Sequence, residues 1–506
     1  MGRPEPEMVD LLIVGGGING VGIARDAAGR GLSVLLVEKD DLANHTSPAS
    51  TKLIHGGLRY LEYGEFRLVR EALIERERLL AMAPHIIRPL EFVLSLTRSP
   101  RPAWMVRLAL FLYDHLGGRR TLPGTRSVAL GTSPLGDGLS SRGGKAFTYW
   151  DCLVDDSRLV VLNARDAAER GATIETRCRF LGAMRSGNCW TATISDAGGR
   201  NRTIHARALV NAAGPWVADV LDQIPGARSD RAVRLIKGSH IVVPRLYRGD
   251  HALLLQNPDR RIVFAIPYEG AFTLVGTTDE AWQSAPGKVS ISPAETRYLL
   301  DTIGRYFARR VGEEDIVWSY AGIRPLYDDR AANASAVTRD YILDLDAGAA
   351  RAPLLSIFGG KITTYRKLAE HALRALAPFF PAAGPAWTAA APLPGGDIPD
   401  GDFEAFLSEL LAEHPALSPT LLRRLARAYG TRARALLGGV RTMEELGPDF
   451  GSGLTRAEVD YLVAQEWART ADDILFRRSK LGLHVPPGTA ERLEAYLAER
   501  RMVRAA

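Results

Sequence analysis

The most chemically specific spacing in this chain is Gly15-x-Gly17-x-x-Gly20, followed by a carboxylate at Glu38. Such a set handles a pyrophosphate. The first glycine makes a tight turn, the second lets phosphate oxygens approach the backbone, and the third lets a helix pack closely on a strand. Glu38 ends the next apolar run, where a carboxylate accepts hydrogen bonds from a ribose and repels a 2′-phosphate, which disfavours NADP. The spacing implies an ADP moiety and does not by itself separate NAD from FAD.

These residues need a βαβ unit to position them. The apolar run VDLLIV (9–14) predicts a strand buried on both faces. A helical stretch follows GGGING and ends at Gly31, and residues 33–37 form the next strand. Two more glycine-rich segments follow apolar strands. LVNAAGPW (209–216) carries Gly214 and Trp216, and LLSIFGGKITTYRKLAEHAL (354–373) carries Gly359-Gly360 with a helix opening near Thr363. A flavin needs such a helix end, because reduction places negative charge on its N1–C2=O edge and free N–H groups stabilise it. Three strand–glycine–helix entries on one long cofactor suit FAD better than NAD. Only the first carries a full dinucleotide fingerprint, so the substrate itself is expected to deliver the hydride.

With 506 residues the chain is too long for one ordinary core. Residues 231–345 are rich in alternating strands, interrupted by a helix with a capping box at Ser292-Pro293-Ala294-Glu295. A Pro/Gly/Ala-rich stretch, 386–402, reads as a linker, and everything after it as helices, among them one with a capping box at Thr455-Arg456-Ala457-Glu458. Three cysteines, Cys152, Cys178 and Cys189, show no metal-ligand spacing and argue for reduced thiols in the cytoplasm. The polar first seven residues leave no room for a signal region, and Pro6 breaks a myristoylation pattern. The net charge of +6 comes without a basic run or RNA-binding signature, so no nucleic-acid partner is expected. The apolar segment WMVRLALFLY (104–113) is half the length of a membrane span. It reads as a buried helix or as an interfacial element lying on lipid, with Arg101 and Arg107 able to meet lipid phosphates.

The string STKLIHGGLRY (50–60) resembles the aerobic, respiratory, FAD-dependent glycerol-3-phosphate dehydrogenases. So do RLIKGSHIVVP (234–244), GTTDE (276–280), AGIRPL (321–326), TRDY (338–341) and FGGKITTYRK (358–367). The resemblance runs from residue 9 into the C-terminal helices. It implies a D-amino-acid-oxidase-like α/β flavoprotein. Its Rossmann-type FAD-binding domain would be assembled from discontinuous segments, roughly 8–75, 150–230 and 340–385. An antiparallel-sheet substrate domain would take 76–149 and 231–340, and a C-terminal all-helical domain 403–506. It further implies non-covalent FAD, with contacts from Ser50, Thr51, Lys52 and Gly56 beside the glycines named above. The partners implied are glycerol 3-phosphate, ubiquinone or another membrane quinone and an anionic membrane surface; a homodimer is compatible with the sequence, which does not fix the oligomeric state. The place implied is the inner face of the cell membrane, with peripheral attachment.

By the same resemblance, Arg324, Arg339 and Lys361 are candidates for phosphate and oxyanion contacts, with Arg59, Tyr60 and Thr277 at the substrate. Bidentate cations are what a phosphate dianion requires. His55 is the candidate base for the C2 hydroxyl, since a histidine titrates near neutral pH; it could equally only position that hydroxyl. No metal is expected. The same motifs are compatible with an oxidase that hands electrons to oxygen, and the fold with an amine-oxidising flavoenzyme. A basic binding module without catalysis would be colourless when purified.

Overall fold

The computed structural model describes residues 7–97, 99, 101–118, 121–227, 229–328, 340–348 and 351–505. Strand β1 (Glu7–Val14), helix α1 (Ile18–Gly29) and strand β2 (Val34–Glu38) form the first unit. All five residues of β2 are buried, as an apolar run in a central parallel strand requires. β1 pairs in parallel with β2 on one side and with Asn201–Asn211 on the other. Strand Asn201–Asn211 pairs in parallel with Arg351–Gly359. The three strands that precede the three glycine turns are therefore neighbours in one eight-stranded sheet, and their turns open side by side at its C-terminal edge. Ligands of open α/β sheets bind at that edge.

A second sheet has ten strands. Its pairings are antiparallel except where Ile87–Ser95 runs parallel to Ala252–Gln256. Helices α2 (Phe66–Met82) and α3 (Ala103–Leu116) cover one of its faces through Val69, Leu73, Val106 and Leu110. The helix Pro293–Tyr306 covers the other, opened by the expected capping box at Ser292 and Glu295. Helix α4 (Asp156–Glu169) starts at Asp155, whose side chain accepts the Arg158 N–H, and it packs beside α1 under the first sheet.

The C-terminal helices, from Phe403–Glu413 to Thr489–Ala505, enclose their own core around Leu410, Leu422, Leu462 and Leu493. This is the α/β architecture with a helical C-terminal domain read from the sequence. One detail differs. The capping box at Thr455 does not form, because the Glu458 carboxylate is taken by Arg424 at 2.6 and 2.7 Å and by the Tyr429 hydroxyl at 2.8 Å.

Segment 386–402 has the composition of a linker yet is packed. Leu393 and Ile398 are buried, the Trp387 indole donates to the Asp26 carbonyl at 3.1 Å, and Arg25 donates to the carbonyls of Ala391 and Pro392. Farther on, Arg478 spans from the helical domain to both carboxylate oxygens of Asp41 at 2.8 Å.

Candidate active site

A cavity of about 760 Å³ lies between the glycine turns of the first sheet and the strands of the second. Gly15, Gly17, Glu38, Gly214, Trp216, Gly359, Gly360 and Thr363 line it, together with Ser50 and Thr51. Gly15 has φ 115°, and a Cβ there would stand 2.5 Å from the Ala212 carbonyl oxygen. Gly20 is not on the wall but lets the wall form: a Cβ there would lie 1.9 Å from the Gly15 carbonyl oxygen.

Around this turn the polar groups point inward. The Glu38 carboxylate is buried and accepts the N–H groups of Gly16 at 2.8 Å and Asp40 at 2.9 Å. Burial raises its pKa, and those two bonds oppose the rise. Gly17 caps α1 without a side chain, and Ile18 donates its N–H to the Ser47 hydroxyl at 3.0 Å. Asn19 ties the first turn to the third by donating to the Gly359 carbonyl at 3.2 Å. Its Oδ1 is buried with no hydrogen-bond partner among the described residues. These residues fit FAD. Glu38 suits the ribose, the N–H groups at the start of α1 suit the phosphates, and the 359–363 turn with its following helix suits the isoalloxazine.

The substrate candidates share the same cavity: His55, Arg59, Tyr60, Thr277, Arg324 and Lys361 all line it. Arg324 is held in place by Asp279 at 2.6 Å, the Thr277 hydroxyl at 3.0 Å and the Thr278 carbonyl at 2.7 Å. Its guanidinium occupies the space left by Gly238, where a Cβ would meet it at 1.8 Å. The Lys361 ammonium sits 3.9 Å from the centroid of the Tyr60 ring, and Arg59 reaches the Tyr63 hydroxyl at 3.3 Å. His55 donates its backbone N–H to the Thr363 hydroxyl at 3.3 Å. Burial and the charge of Lys361 push its imidazole down to about 4, which leaves it neutral at physiological pH. Arg339 lies outside the described residues.

Two residues expected at the cofactor point elsewhere. Lys52 is buried beneath the wall, pairing with Asp156 at 2.8 and 3.0 Å and donating to the Pro48 carbonyl at 2.9 Å. Burial lowers its pKa, and Asp156 opposes this. Gly56 turns away from the cavity and donates its N–H to the Tyr113 hydroxyl at 2.7 Å. Ser50 lines the wall, but its hydroxyl also serves Asp156, at 2.7 Å.

The structure adds residues that sequence reasoning missed. His240 lines the cavity, stacks on Tyr320 at 4.8 Å and lies 3.1 Å from the Thr51 hydroxyl. Burial, Lys52 and Arg324 keep it neutral. His240 and Asp279 both sit within the motif strings quoted above. Lys288, also on the wall, carries no such signal. Glu38, Asp40 and His45 bring their ligand atoms within 4.8 Å of one another. Asp40 is already engaged by His45 and Lys39, and these hold its carboxyl below the usual range.

The chain matches the family model described as FAD dependent oxidoreductase over residues 10–366, and that described as C-terminal domain of alpha-glycerophosphate oxidase over residues 386–498. It is 56% identical to a glycerol-3-phosphate dehydrogenase of Pseudomonas aeruginosa, covering 98% of this chain and 96% of the relative. It is 53% identical to a D-erythritol 1-phosphate dehydrogenase of Brucella abortus, covering 95% and 96%. It is 49% identical to the aerobic glycerol-3-phosphate dehydrogenase of Escherichia coli, covering 97% and 98%. The glycerol-3-phosphate dehydrogenase of Bacillus halodurans, solved with FAD, superposes with a TM-score of 0.75 at 27% identity, covering 97% of this chain and 90% of that one. The chain therefore belongs to the FAD dependent oxidoreductase family, among the relatives of the glycerol-3-phosphate dehydrogenases.

Proposed function

We propose that the protein oxidises sn-glycerol 3-phosphate to dihydroxyacetone phosphate and passes the electrons to a membrane quinone. The observation that carries this reading is that Arg59, Arg324 and Lys361 line the same cavity as the FAD cradle, together with a neutral histidine, His55. A phosphate dianion in a cavity needs such cations, whereas the carboxylate of an amino acid needs fewer. Lys361 and the two arginines hold the phosphate. Thr277 and Tyr60 orient the glycerol backbone, and the free imidazole nitrogen of His55 takes the proton of the C2 hydroxyl. Bound FAD supplies the acceptor for the C2 hydride. The test is anaerobic addition of glycerol 3-phosphate, which is expected to bleach the flavin. An unchanged flavin spectrum would overturn the proposal.

A second substrate is favoured by the 53% identity to the D-erythritol 1-phosphate dehydrogenase. The two compounds share a phosphate terminus and a neighbouring secondary alcohol. A higher kcat/KM for erythritol 1-phosphate would move the assignment to that polyol phosphate. Use of oxygen as acceptor is separated by the peroxide yield in air, expected to be far below one per turnover.

The quinone reading asks for contact with lipid. No helix among the described residues is long and apolar enough to cross a membrane. One face of α3 is buried through Val106, Leu110 and Tyr113. The other exposes Trp104, Leu108 and Phe111 by 69%, 51% and 57%, with Tyr63 and Phe66 also exposed nearby. Apolar side chains at this spacing suit an interfacial helix. Arg101 is not available to lipid as expected, because it pairs with Glu62 and with Gln256 at 2.8 Å; Arg107 is exposed. This surface, together with a quinone acceptor, supports peripheral attachment at the inner face of the cell membrane.

A further inference from the structure

Tyr113 stands on the buried face of α3, 3% exposed, and its hydroxyl is fully committed. It donates to the Asp151 carboxylate, with oxygens at 2.8 and 2.9 Å, and accepts the Gly56 N–H at 2.7 Å. Because Asp151 takes the hydroxyl proton, the lone pairs are left facing Gly56, and the hydroxyl cannot rotate away without breaking both bonds. Asp151 is in turn gripped by Arg76 at 2.9 Å, whose guanidinium also donates to the Trp150 carbonyl at 2.8 Å and to Glu77 at 2.9 Å. Gly56, Arg76, Tyr113 and Asp151 are all buried.

The contact is also tight in the steric sense. A Cβ at Gly56 would lie 2.6 Å from Leu73 and 2.8 Å from the Tyr113 hydroxyl, so the loop is pressed onto this pair. On either side of Gly56 the chain faces the cavity, with His55 before it and Gly57 after it. The Gly56 N–H is thus the nearest anchored backbone group to His55 on the side away from substrate. The other anchor is the His55 N–H itself, on Thr363.

We propose that Tyr113 is a positioning residue for the oxidation. Clamped by Asp151 and Arg76, its hydroxyl fixes where the 55–57 loop, and with it the His55 imidazole, stands relative to the substrate. The inference rests on the reading of the cavity as a polyol-phosphate oxidising site. It predicts a loss in the chemical step larger than any loss of phosphate affinity, since Arg324 is held by Asp279, Thr277 and Thr278, away from the loop, and only Arg59 and the Tyr60 ring against Lys361 follow the loop directly.

The experiment uses FAD-loaded full-length protein with Tyr113→Phe and, separately, Asp151→Asn. Anaerobic stopped-flow mixing with glycerol 3-phosphate reads the limiting rate of flavin reduction, and inorganic phosphate, as a competitor, reads affinity for the anion. Both variants are expected to lower the limiting rate by between about ten- and a hundredfold, the scale of an ångström-sized misplacement. The phosphate inhibition constant should change less than about threefold, and the double variant should be no slower than the slower single one. A limiting rate within twofold of the parent in either variant, per bound flavin, would overturn the proposal. So would equal losses in rate and in phosphate affinity, the mark of a loosened fold. If the parent itself is not reduced by the substrate, the functional assignment fails instead, and the comparison distinguishes the two.

Discussion

The carboxylate of Asp279 lies 2.6 Å from the guanidinium of Arg324 on the cavity wall. The pair sets two different outcomes for loss of a cation. Lys361→Ala should weaken glycerol 3-phosphate by about 2–5 kcal/mol in kcat/KM and affect glycerol much less. Arg324→Ala should be worse, because Asp279 then faces the incoming dianion without its guanidinium. Adding Asp279→Asn to Arg324→Ala should recover part of the loss. Steady-state kinetics with both alcohols checks this, and equal losses for glycerol would assign these residues to the fold or the flavin.

His55 should be neutral well below the usual histidine range. Its imidazole is held down to about 4 by burial and by Lys361, so protonation, which would disable it as a base, sets in only near that pH. Nitrogen-15 histidine spectra of substrate-free protein, assigned by His55→Gln, are expected to show no His55 titration between pH 8 and pH 5.5. A midpoint near 6.5 would contradict the buried, cation-facing placement.

His85 offers a stability test. It is 1% exposed, neither ring nitrogen has a hydrogen-bond partner among the described residues, and burial with Arg158 and Arg427 pushes it down to about 3. Its folded pKa is depressed, so below about 6.5 the unfolded chain takes up a proton that the native state refuses. Stability should therefore fall as pH drops from about 6.5 towards 3, by about 1.4 kcal/mol per unit for this residue. His85→Leu should lose less stability than the parent between pH 7 and pH 5, by about 2 kcal/mol in urea unfolding. Parallel curves for the two proteins would remove His85 from the account.

The flavin should be tight but not covalent, one per chain. Acid precipitation is expected to release the yellow colour into solution; colour retained in the pellet would mean a covalent link. Gly20→Ala drives a methyl into the Gly15 carbonyl oxygen, so this variant should purify with little flavin or fail to fold. A fully loaded Gly20→Ala protein would show that the turn is not the cradle.

The exposed face of α3 separates chemistry from electron delivery. Changing Trp104, Leu108 and Phe111 together to serine touches only exposed positions, where the fold is little affected. Sedimentation with anionic liposomes should drop, and so should quinone reduction in membranes, while flavin reduction by substrate stays at the parental rate. Unchanged liposome binding would place the lipid contact elsewhere.

The glycine turns were legible in the sequence because each glycine answers a local demand. Gly15 needs a positive φ, and Gly20 sits where no Cβ fits. Strand and helix periodicity likewise showed the opening βαβ unit, the strand-rich 231–345 stretch and the C-terminal helices, but not the strands Ile87–Ser95 and Lys145–Val154 of the second sheet. What stayed hidden depends on distant partners. Lys52 and Gly56 sit among wall residues in a turn, and it takes Asp156 and Tyr113 to draw them away from the cavity. His240 faces inward only because its strand is paired between Phe272–Gly276 and Trp318–Tyr327. α3 is apolar nearly all round, so its pattern could not say which face the sheet would cover. The Pro- and Ala-rich 386–402 segment is packed because bare carbonyls at Ala391 and Pro392 meet the buried Arg25.

The order of strands in the first sheet also has a consequence for biosynthesis. The opening fingerprint leaves the ribosome early, but one of its flanking strands, Asn201–Asn211, is finished about 190 residues later, and Arg351–Gly359 later still. At the roughly 5–20 residues per second of bacterial-type synthesis, the three turns are not together until on the order of 20–70 seconds after the first was made. Until Asn201–Asn211 is made, β1 has a neighbour on one edge only, β2, and until Arg351–Gly359 is made the cofactor has no complete place to bind. Flavin capture therefore has to wait until more than two-thirds of the chain has been made, and supply of FAD acts on that later stage rather than on the nascent amino-terminal third.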